Sequence, residues 1–330
     1  MANIIIDSYC NLRCRYCFAN DVIEANKEFI ELDSFDHILD FVLNSNAKRV
    51  GLIGGEPLLH PQFLDICKHI IQKTPHDFIA VVYTNGLLLD KYMKVLSSSR
   101  FRLLVNVNSP LDQGEDNFLR MRKNLDEIFF EYFYEYKVTL GLNLYDENQD
   151  IGFFLDLVDR YHDHVKAIRT SVSIPRDKSK GSFYYFKKMI PLVKHLLKEM
   201  NKREVGVMFD CNQIPVCLID EELAKLMFHS EKLSKKPYLT GDCVSSCSPV
   251  IDINQHGEAI RCFALSEYLK VNIDDFDNLE KLSNYFRFHI DRKLRNNPLD
   301  DCKDCQEFSC QLCSGGCLAF RGDIFNKDER

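Results

Sequence analysis

Three closely spaced cysteines near the start of the chain are the residues best suited to carry chemistry. Cys10, Cys14 and Cys17 form a C-x3-C-x2-C pattern directly after an apolar, strand-like run at residues 3–7. Three thiolates on one tight loop can bind three irons of a [4Fe–4S] cube and leave the fourth iron open to a ligand. A zinc site is the alternative, but zinc knuckles favour a fourth Cys or His close by, and the nearest histidine, His37, lies on a predicted helix. The spacing therefore favours an iron–sulfur centre.

A second group of cysteines lies near the other end of the chain. Of the 14 cysteines in 330 residues, eight fall between residues 243 and 317. So many cysteines in a segment too short for a good apolar core predict a domain that folds around metal, with a zinc ribbon as the alternative. The eight are Cys243, Cys247, Cys262, Cys302, Cys305, Cys310, Cys313 and Cys317.

The composition restricts the class of protein. A net charge of -7 argues against a nucleic-acid-binding surface, which is normally basic. No apolar run approaches the roughly 20 residues needed to cross a bilayer, and the first residues do not form a signal peptide. We therefore expect a cytoplasmic protein that contacts neither nucleic acid nor membrane, in which clustered cysteines bind metal instead of forming disulfides.

The order of the predicted elements indicates an α/β protein. Over the first two-thirds of the sequence, apolar strand-like runs alternate with helical patterns, which is typical of a parallel sheet or barrel. A polar, lysine-rich stretch follows, and beyond it we predict a hairpin at 250–263 and a helix at 279–296. The predicted organisation is a partial barrel over residues 1–228, a linker over 229–242 and a small cysteine-rich domain over 243–330.

Other candidate site residues follow the ends of predicted strands, where a parallel barrel carries its active site. Gly54, Gly55 and Glu56 follow the second strand. Two glycines let backbone carbonyls approach a ligand, and Glu56 supplies an anion for an ammonium, although a simple surface turn is the alternative. The other candidates are Thr84 after the third strand, Asn106 and Asn108 at the fourth, Arg169 and Ser171 on the sixth, Asp210 and Cys211 at the end of the last strand, and Cys217 beyond it.

Several of these candidates have structural alternatives. Arg169 on an inward face can form an ion pair within the protein instead of contacting a ligand. Asp210, Cys211 and Cys217 could donate or accept a proton or hydrogen atom during catalysis, or simply close the mouth of the barrel. Cys67, on a predicted helix, is expected to be a small buried apolar residue.

The N-terminal motifs resemble those of the radical SAM superfamily. The resemblance lies in the three-cysteine loop with Tyr16 before its last cysteine, the Gly-Gly-Glu-Pro turn at 54–57 and the Thr-Asn-Gly turn at 84–86. It implies a partial (β/α)6 barrel whose cysteine loop holds a [4Fe–4S] cluster, with the open iron bound to the methionine end of S-adenosylmethionine.

The same resemblance implies roles for the strand-end residues. Tyr16 would lie near the adenine, the 54–57 turn would contact the amino group of the cofactor, and Thr84 would lie near the cofactor. Asn106 would reach the ribose, although the segment 106–109 departs from the Ser-x-Asp-Gly that many relatives carry. Arg169 and Ser171 would contact the carboxylate or ribose of the cofactor.

The C-terminal cysteines resemble the SPASM extension found in part of that superfamily. Its C-x9-15-G-x4-C pattern corresponds to Cys247, Gly257 and Cys262, and its C-x-G-G-C pattern to 313–317. The resemblance implies two auxiliary [4Fe–4S] clusters, and three clusters in all. The first auxiliary ligands would be Cys243, Cys247, Cys262 and Cys317, and the second Cys302, Cys305, Cys310 and Cys313.

This sequence departs from the SPASM pattern in two ways. No cysteine follows Cys317, where relatives have a last ligand, and there is one cysteine more than usual between Cys305 and Cys317. If Cys310 and Cys313 both ligate, the second cluster has four thiolates. If only one of them ligates, that cluster keeps an open iron able to bind substrate.

The resemblance also implies an activity. S-adenosylmethionine would be cleaved to a 5′-deoxyadenosyl radical, and the auxiliary clusters would make the reaction a net oxidation, with an external electron donor such as flavodoxin or ferredoxin. The leading hypothesis is an oxidoreductase that modifies a peptide or protein side chain by a thioether, a carbon–carbon cross-link or a related change. The alternatives are a dehydrogenase acting on an alcohol of a sugar or aminocyclitol, and a non-catalytic zinc-binding interaction module. Phe263 stands where sulfatase-maturing relatives have an Asp base, which disfavours that activity.

Overall fold

The structure is a computed structural model. It describes residues 2–17, 27–132, 137–175, 177–178, 181–210, 214–228 and 247–327. The predicted linker at 229–242, together with Cys211 and Cys243, lies outside the described residues. The chain forms two compact units. The first unit comprises Met1–Gly141, Asp163–Val165 and Pro249–Phe286, and the second unit comprises Leu142–His162, Lys166–Ser248 and Arg287–Arg330.

The first unit is built on parallel strands in chain order. Each strand pairs with the next in parallel, as when Ile4 of the first strand lies opposite Leu52 of the second. The first strand is buried along its whole length, as expected of a strand covered on both faces. The strands are β1 Ala2–Ile5, β2 Arg49–Ile53, β3 Ile79–Thr84, β4 Phe101–Asn106 and β5 Val138–Leu144, the last of which begins in this unit.

Helices follow the strands of the first unit. Apolar residues at helical spacing bury one face of the first helix, where Phe35, Ile38, Leu39 and Val42 are inaccessible to solvent. A π-helical turn at Glu127–Glu131 extends the fifth helix. The helices are α1 Leu32–Asn44, α2 Phe63–Lys73, α3 Met93–Leu96, α4 Pro110–Gln113 and α5 Glu115–Asp126.

The C-terminal part of the first unit adds three short strands to the free edge of β1. These are β8 Ile251–Ile253, β9 Glu258–Ile260 and β10 Lys270–Asn272. The first of them pairs with β1 in parallel, and the others continue antiparallel. The predicted hairpin is confirmed, and its turn depends on Gly257, whose φ is 74° and whose N–H donates to the Asn254 carbonyl at 3.0 Å.

The second unit contains β6 Ala167–Val172 and β7 Gly206–Phe209, which pair in parallel with Ile168 opposite Val207. The segment after Asn296 is dominated by loops up to a 3-10 stretch at Leu318–Lys327. The helix predicted at 279–296 forms as two α-helices, Leu279–Phe286 and Arg292–Asn296, with π-helical residues Arg287–Asp291 between them in sequence. The helices are α6 Gly152–Arg160, α7 Gly181–Lys202, α8 Glu221–Phe228, α10 Arg292–Asn296 and α11 Gln306–Ser309 in this unit, and α9 Leu279–Phe286 in the first.

The predicted α/β class with parallel strands is confirmed. Among the described residues, no helix has the length and apolar character required to cross a membrane.

Candidate metal centres

The loop at residues 10–17 follows β1 in the first unit and is folded by local hydrogen bonds. The Cys17 N–H donates to the Cys14 carbonyl at 3.0 Å, the Leu12 N–H donates to Cys10 Sγ at 3.4 Å, and Arg13 Nη1 donates to the Cys10 carbonyl at 2.9 Å. Burial, with a smaller contribution from the charge of neighbouring thiolates, raises the pKa of Cys10 to about 11 and that of Cys14 to about 12. A bound cation is what would favour the thiolate forms.

Two glycines seat the turn after β2 against this loop. A Cβ atom on Gly55 would lie 2.1 Å from the Tyr9 carbonyl oxygen and 2.7 Å from the Cys10 nitrogen, and one on Gly54 would lie 2.2 Å from Asp7 Oδ1. The Gly55 N–H donates to Asp7 Oδ1 at 2.8 Å. Because Gly54 and Gly55 have no side chains, the two backbones can pack closely. This is a structural role besides the predicted one, in which the two glycines let backbone carbonyls approach a ligand.

Glu56 is the polar centre of the same turn and is only 1% exposed. Its Oε1 accepts hydrogen bonds from Thr84 Oγ1 at 2.6 Å and from the Leu58 N–H at 3.3 Å, while Oε2 accepts from the Asn85 N–H at 2.7 Å. Burial raises the pKa of Glu56 to about 7, although these hydrogen bonds oppose the shift. The carboxyl group thus ties the turn after β2 to the turn after β3, and its predicted role as an anion for an ammonium stays a prediction.

Asn85 links the end of β3 to the cysteine loop. Its Nδ2 donates to Asn11 Oδ1 at 2.8 Å, and its Oδ1 accepts from the Leu87 N–H at 3.0 Å. Gly86 takes a positive φ of 81°, and its N–H donates to Thr84 Oγ1 at 3.0 Å. Sequence reasoning singled out Thr84 but assigned nothing to Asn85 or Asn11, although the Thr-Asn-Gly sequence was a signal of this turn.

Tyr16 links the cysteine loop to the segment after β4. Its hydroxyl donates to Asn108 Oδ1 at 2.6 Å, and a hydrogen bond with Tyr16 lowers the pKa of the Cys14 thiol against the larger effect of burial. Asn108 is buried, and its carbonyl accepts from Gln113 Nε2 at 3.0 Å. Asn106 instead lies beside β5, since a Cβ on Gly141 would come 2.9 Å from Asn106 Oδ1.

The first unit therefore brings most of its predicted site residues into one connected region. Hydrogen bonds and close backbone packing join the cysteine loop to the turns at the carboxyl ends of β2, β3 and β4. The predicted residues in this region are Cys10, Cys14, Tyr16, Cys17, Gly54, Gly55, Glu56, Thr84 and Asn108.

In the second unit, the candidates on β6 are bonded to protein partners. Arg169 forms an ion pair with Asp210, which is the structural alternative considered for it. Ser171 Oγ donates to Asn143 Oδ1 at 2.6 Å. Ligand contacts by Arg169 and Ser171 stay predictions.

Cysteines of the C-terminal segment line a cavity in the second unit that opens to solvent. Cys302, Cys305 and Cys313 line it together with Cys217. The Gly315 N–H donates to Cys313 Sγ at 3.3 Å, and a Cβ on Gly315 would lie 3.0 Å from Cys302 Sγ. The structure thus places four cysteines around one space, including Cys217, which sequence reasoning had assigned to another role.

A buried cation lies among the thiols of this unit. Arg321 is 2% exposed, and its Nη2 donates to the Ser314 carbonyl at 2.5 Å. Its Nε and Nη1 have no hydrogen-bond partner among the described residues. Burial lowers the pKa of Arg321, and negative charge on Cys302, Cys247 and Cys317 opposes that shift. A buried guanidinium is stable when its N–H donors bind an acceptor. The two unpartnered donors of Arg321 could therefore bind an anionic group held by the nearby thiols.

The ligands predicted for the first auxiliary cluster are distributed over both units. Cys262 belongs to the first unit, where Arg261 Nη1 donates to its Sγ at 3.7 Å. Cys247 and Cys317 belong to the second unit, and the Cys247 N–H donates to Ser314 Oγ at 2.9 Å. Across the described segments, no three His, Cys, Asp or Glu side chains form a ready ligand set for a metal ion.

Comparison with known proteins adds a domain match and a fold. Residues 4–138 match the model of the Radical SAM superfamily. The native structure of anSMEcpe with bound AdoMet superposes with a TM-score of 0.65 at 19% identity, covering 96% of this chain and 88% of that one. Streptococcus suis SuiB bound to precursor peptide SuiA gives a TM-score of 0.63 at 18% identity, covering 96% and 71%. At these identities the likeness shows the fold, and it confirms the predicted radical SAM architecture.

Sequence relatives match a smaller part of the chain. A GTP 3′,8-cyclase of Clostridium perfringens is 33% identical over 167 residues, which are 47% of this chain and 50% of the relative. A GTP 3′,8-cyclase of Chlorobaculum tepidum is 27% identical over 170 residues, 48% of this chain and 50% of the relative. The chain thus spans about half the length of the curated relatives it matches.

Proposed function

On the basis of the match of residues 4–138 to the Radical SAM superfamily model, we propose that the chain is an enzyme that oxidises a peptide or protein side chain with S-adenosylmethionine as cofactor. The product would carry a thioether, a carbon–carbon cross-link or a related oxidised group. The proposal depends on two cysteine sites, one on the loop at 10–17 and one around the cavity of the second unit.

The loop at 10–17 fits a [4Fe–4S] cluster through its donor set, since three cysteines supply three thiolates and leave one iron without a protein ligand. When bound, the cluster and S-adenosylmethionine supply the one-electron chemistry that removes a hydrogen atom from an unactivated C–H bond. The protein positions the cofactor: Tyr16 beside the adenine, the backbone of Gly54 and Gly55 at the amino group, and Thr84 at the turn that Glu56 holds in place.

Further cofactor contacts follow from the same proposal. Asn106 is the candidate for the ribose hydroxyls, and Asn108 acts by holding the Tyr16 hydroxyl. Arg169 is proposed to act through its ion pair with Asp210, which keeps that carboxylate available as a proton acceptor at the end of β7.

The observation that carries the oxidative part of the proposal is the cysteine-lined cavity beside the buried Arg321. A substrate that has lost one hydrogen atom must lose a further electron and a proton to become a stable oxidised product. A second, thiolate-rich redox site supported by a buried cation meets that need. Cys302, Cys305 and Cys313 are proposed to hold one auxiliary cluster, and Cys243, Cys247, Cys262 and Cys317 the other. An external protein such as flavodoxin or ferredoxin would exchange the electrons.

A peptide substrate is supported by the fold. SuiB, whose fold this chain shares over 96% of its length, binds a precursor peptide in its solved structure. The GTP 3′,8-cyclases match only about half of this chain, so we infer from them a shared domain and do not infer the substrate.

The experiment that tests the proposal combines metal analysis with product analysis. Anaerobically reconstituted protein should contain about 12 irons per chain, as expected for three cubes. With dithionite and S-adenosylmethionine it should form 5′-deoxyadenosine, and a cysteine-containing peptide substrate should lose two hydrogen atoms in its mass spectrum. A variant with Cys10, Cys14 and Cys17 all replaced by alanine should lose about four irons and all 5′-deoxyadenosine. Zinc without iron, or oxidation confined to a sugar or aminocyclitol alcohol, would contradict the proposal.

A further inference from the structure

The cavity of the second unit has four cysteines in its lining from three separate parts of the sequence. Cys302 and Cys305 precede α11, and Cys313 follows it. Cys217 comes from a 3-10 turn at Val216–Leu218, shortly after β7. Cys217 was expected from the sequence to act in catalysis or to close the barrel mouth, and neither expectation placed it with the C-terminal cysteines.

The turn that carries Cys217 is seated against the C-terminal cysteine loop. Val216 is buried and packs against the buried Cys313. A Cβ on Gly316 would lie 3.3 Å from Pro215 Cγ, so the turn and the glycine pair of the C-x-G-G-C segment are in close contact. A hydrogen bond from the Leu218 N–H to the Pro215 carbonyl, 2.9 Å long, closes the turn itself. The position of Cys217 is therefore set by the packing of the two residues that precede it.

The side chain of Cys217 faces the same cavity as the other three cysteines, since all four line it. Because each thiolate of a cube binds a different iron, the four need not converge as the ligands of one ion do.

Cys310, unlike the four cysteines above, lies outside the lining of the cavity. It follows the end of α11 and is exposed, and the described lining of the cavity does not include it. The next residue, Gln311, takes a left-handed φ of 60°, which reverses the chain so that the Cys313 N–H bonds to the Glu307 carbonyl at 3.1 Å. This reversal buries Cys313 and leaves Cys310 outside.

We propose that Cys217, Cys302, Cys305 and Cys313 are the four protein ligands of the second auxiliary [4Fe–4S] cluster, and that Cys310 is not a ligand. The proposal rests on the proposed function, in that it assumes that an auxiliary cluster forms here. Each of the four thiols gives up its proton on binding iron. The Cys305 thiol then gives up its hydrogen bond to Glu307, now 3.2 Å long.

The test compares Cys217→Ala with Cys310→Ala in the full chain whose Cys10, Cys14 and Cys17 are all alanine, so that only auxiliary iron is counted. This background should hold about eight irons per chain. Cys310→Ala should keep all of them. Cys217→Ala should lose between one and about four, and any remaining three-iron cluster should give a new electron paramagnetic resonance signal in the oxidised state. Since both cysteines are exposed before metal binds, neither alanine is expected to prevent folding, which circular dichroism checks.

Alkylation provides a second measurement that does not depend on iron analysis. In the reconstituted protein, iodoacetamide should modify Cys310 and leave Cys217 unmodified, and chelation of the iron should expose Cys217 to the reagent. Full iron in Cys217→Ala, or protection of Cys310 with alkylation of Cys217, would overturn the ligand assignment. Absence of auxiliary iron in every variant, including the parent, would instead overturn the proposed function on which it rests.

Discussion

The two cysteine sites are held in place by different means. The loop at 10–17 in the first unit is fixed by hydrogen bonds and backbone packing from the turns after three strands, through groups such as Asp7, Glu56 and Asn108. The site in the second unit has its thiols on separate loops, packed by Val216 and placed beside the buried Arg321. The loop of the first site is therefore held by contacts within the protein, whereas we expect the second site to depend on its metal for much of its order.

The largest effect should come from the glycine that seats the first site. In Gly55→Ala, the new Cβ would lie 2.1 Å from a backbone oxygen and 2.2 Å from a backbone carbon of Tyr9, so one backbone must move. We expect a loss of about 4 kcal/mol in the free energy of unfolding, and loss of the iron bound by the 10–17 loop. Denaturant unfolding and iron analysis under anaerobic conditions measure both.

A glycine with ordinary space around it serves as the control. At Gly206 on β7, the nearest atom to an added Cβ is 3.5 Å away, so Gly206→Ala should change stability by less than about 1 kcal/mol. Equal losses in Gly55→Ala and Gly206→Ala would show that the close packing at Gly55 does not hold the first site.

The buried carboxyl group of Glu56 predicts that the stability of the protein depends on pH. Its pKa is about 7 in the folded protein and near 4.5 when exposed, so the folded state binds the extra proton between these values. Stability from this group is fully present below about pH 4.5 and is lost as the pH rises through 7. Relative to Glu56→Gln, the wild type should lose up to about 1.4 kcal/mol per pH unit in that window.

Denaturant unfolding of the metal-free wild type and Glu56→Gln, compared from about pH 5 to about pH 8, measures this difference. Asp7, whose pKa is raised by burial and by the charge of Glu56, is present in both proteins, so the difference reports Glu56 together with its effect on Asp7. A constant difference between the two proteins across this range would contradict the buried, hydrogen-bonded state of Glu56.

The same contrast explains what the sequence could predict. The alternation of parallel strands with helices was predicted, because apolar runs between turn signals define a strand locally. The ligands at 10–17 share one loop, so their spacing alone pointed to a cluster. The place of Cys217 depends on how the turn after β7 packs against a loop far along the chain, and no local pattern encodes that contact.

Finer contacts escaped prediction for the same reason. The sequence indicated both Asn106 and Asn108 as candidates. Which of them accepts a hydrogen bond from the Tyr16 hydroxyl depends on the path of the chain after β4, and in the structure it is Asn108. The predicted helix at 279–296 contains π-helical residues at Arg287–Asp291, which helical periodicity does not reveal.

Arg321 offers a way to test the second site without disturbing its thiols. Removing its buried positive charge in Arg321→Met should make reduction of the auxiliary clusters harder and lower their midpoint potential by about 100 mV, from a charge interaction of about 2 kcal/mol. Arg321→Lys keeps the charge and should stay closer to the wild type. Redox titration followed by electron paramagnetic resonance measures the potentials. An unchanged potential in Arg321→Met would mean that the guanidinium does not act on the clusters.

The smallest effect should come from the hydrogen bond between the Tyr16 hydroxyl and Asn108 Oδ1, 2.6 Å long. Tyr16→Phe removes the donor and should cost about 1 kcal/mol in the free energy of unfolding. Adding Asn108→Ala to Tyr16→Phe should then cost less than it does in the wild type, because the shared bond is already gone. Iron bound by the 10–17 loop should remain, since the glycine packing and the bonds of Glu56 and Asn85 still hold the loop. Loss of that iron in Tyr16→Phe would show that the first site depends on the contacts of the Tyr16 hydroxyl with Asn108 and Cys14.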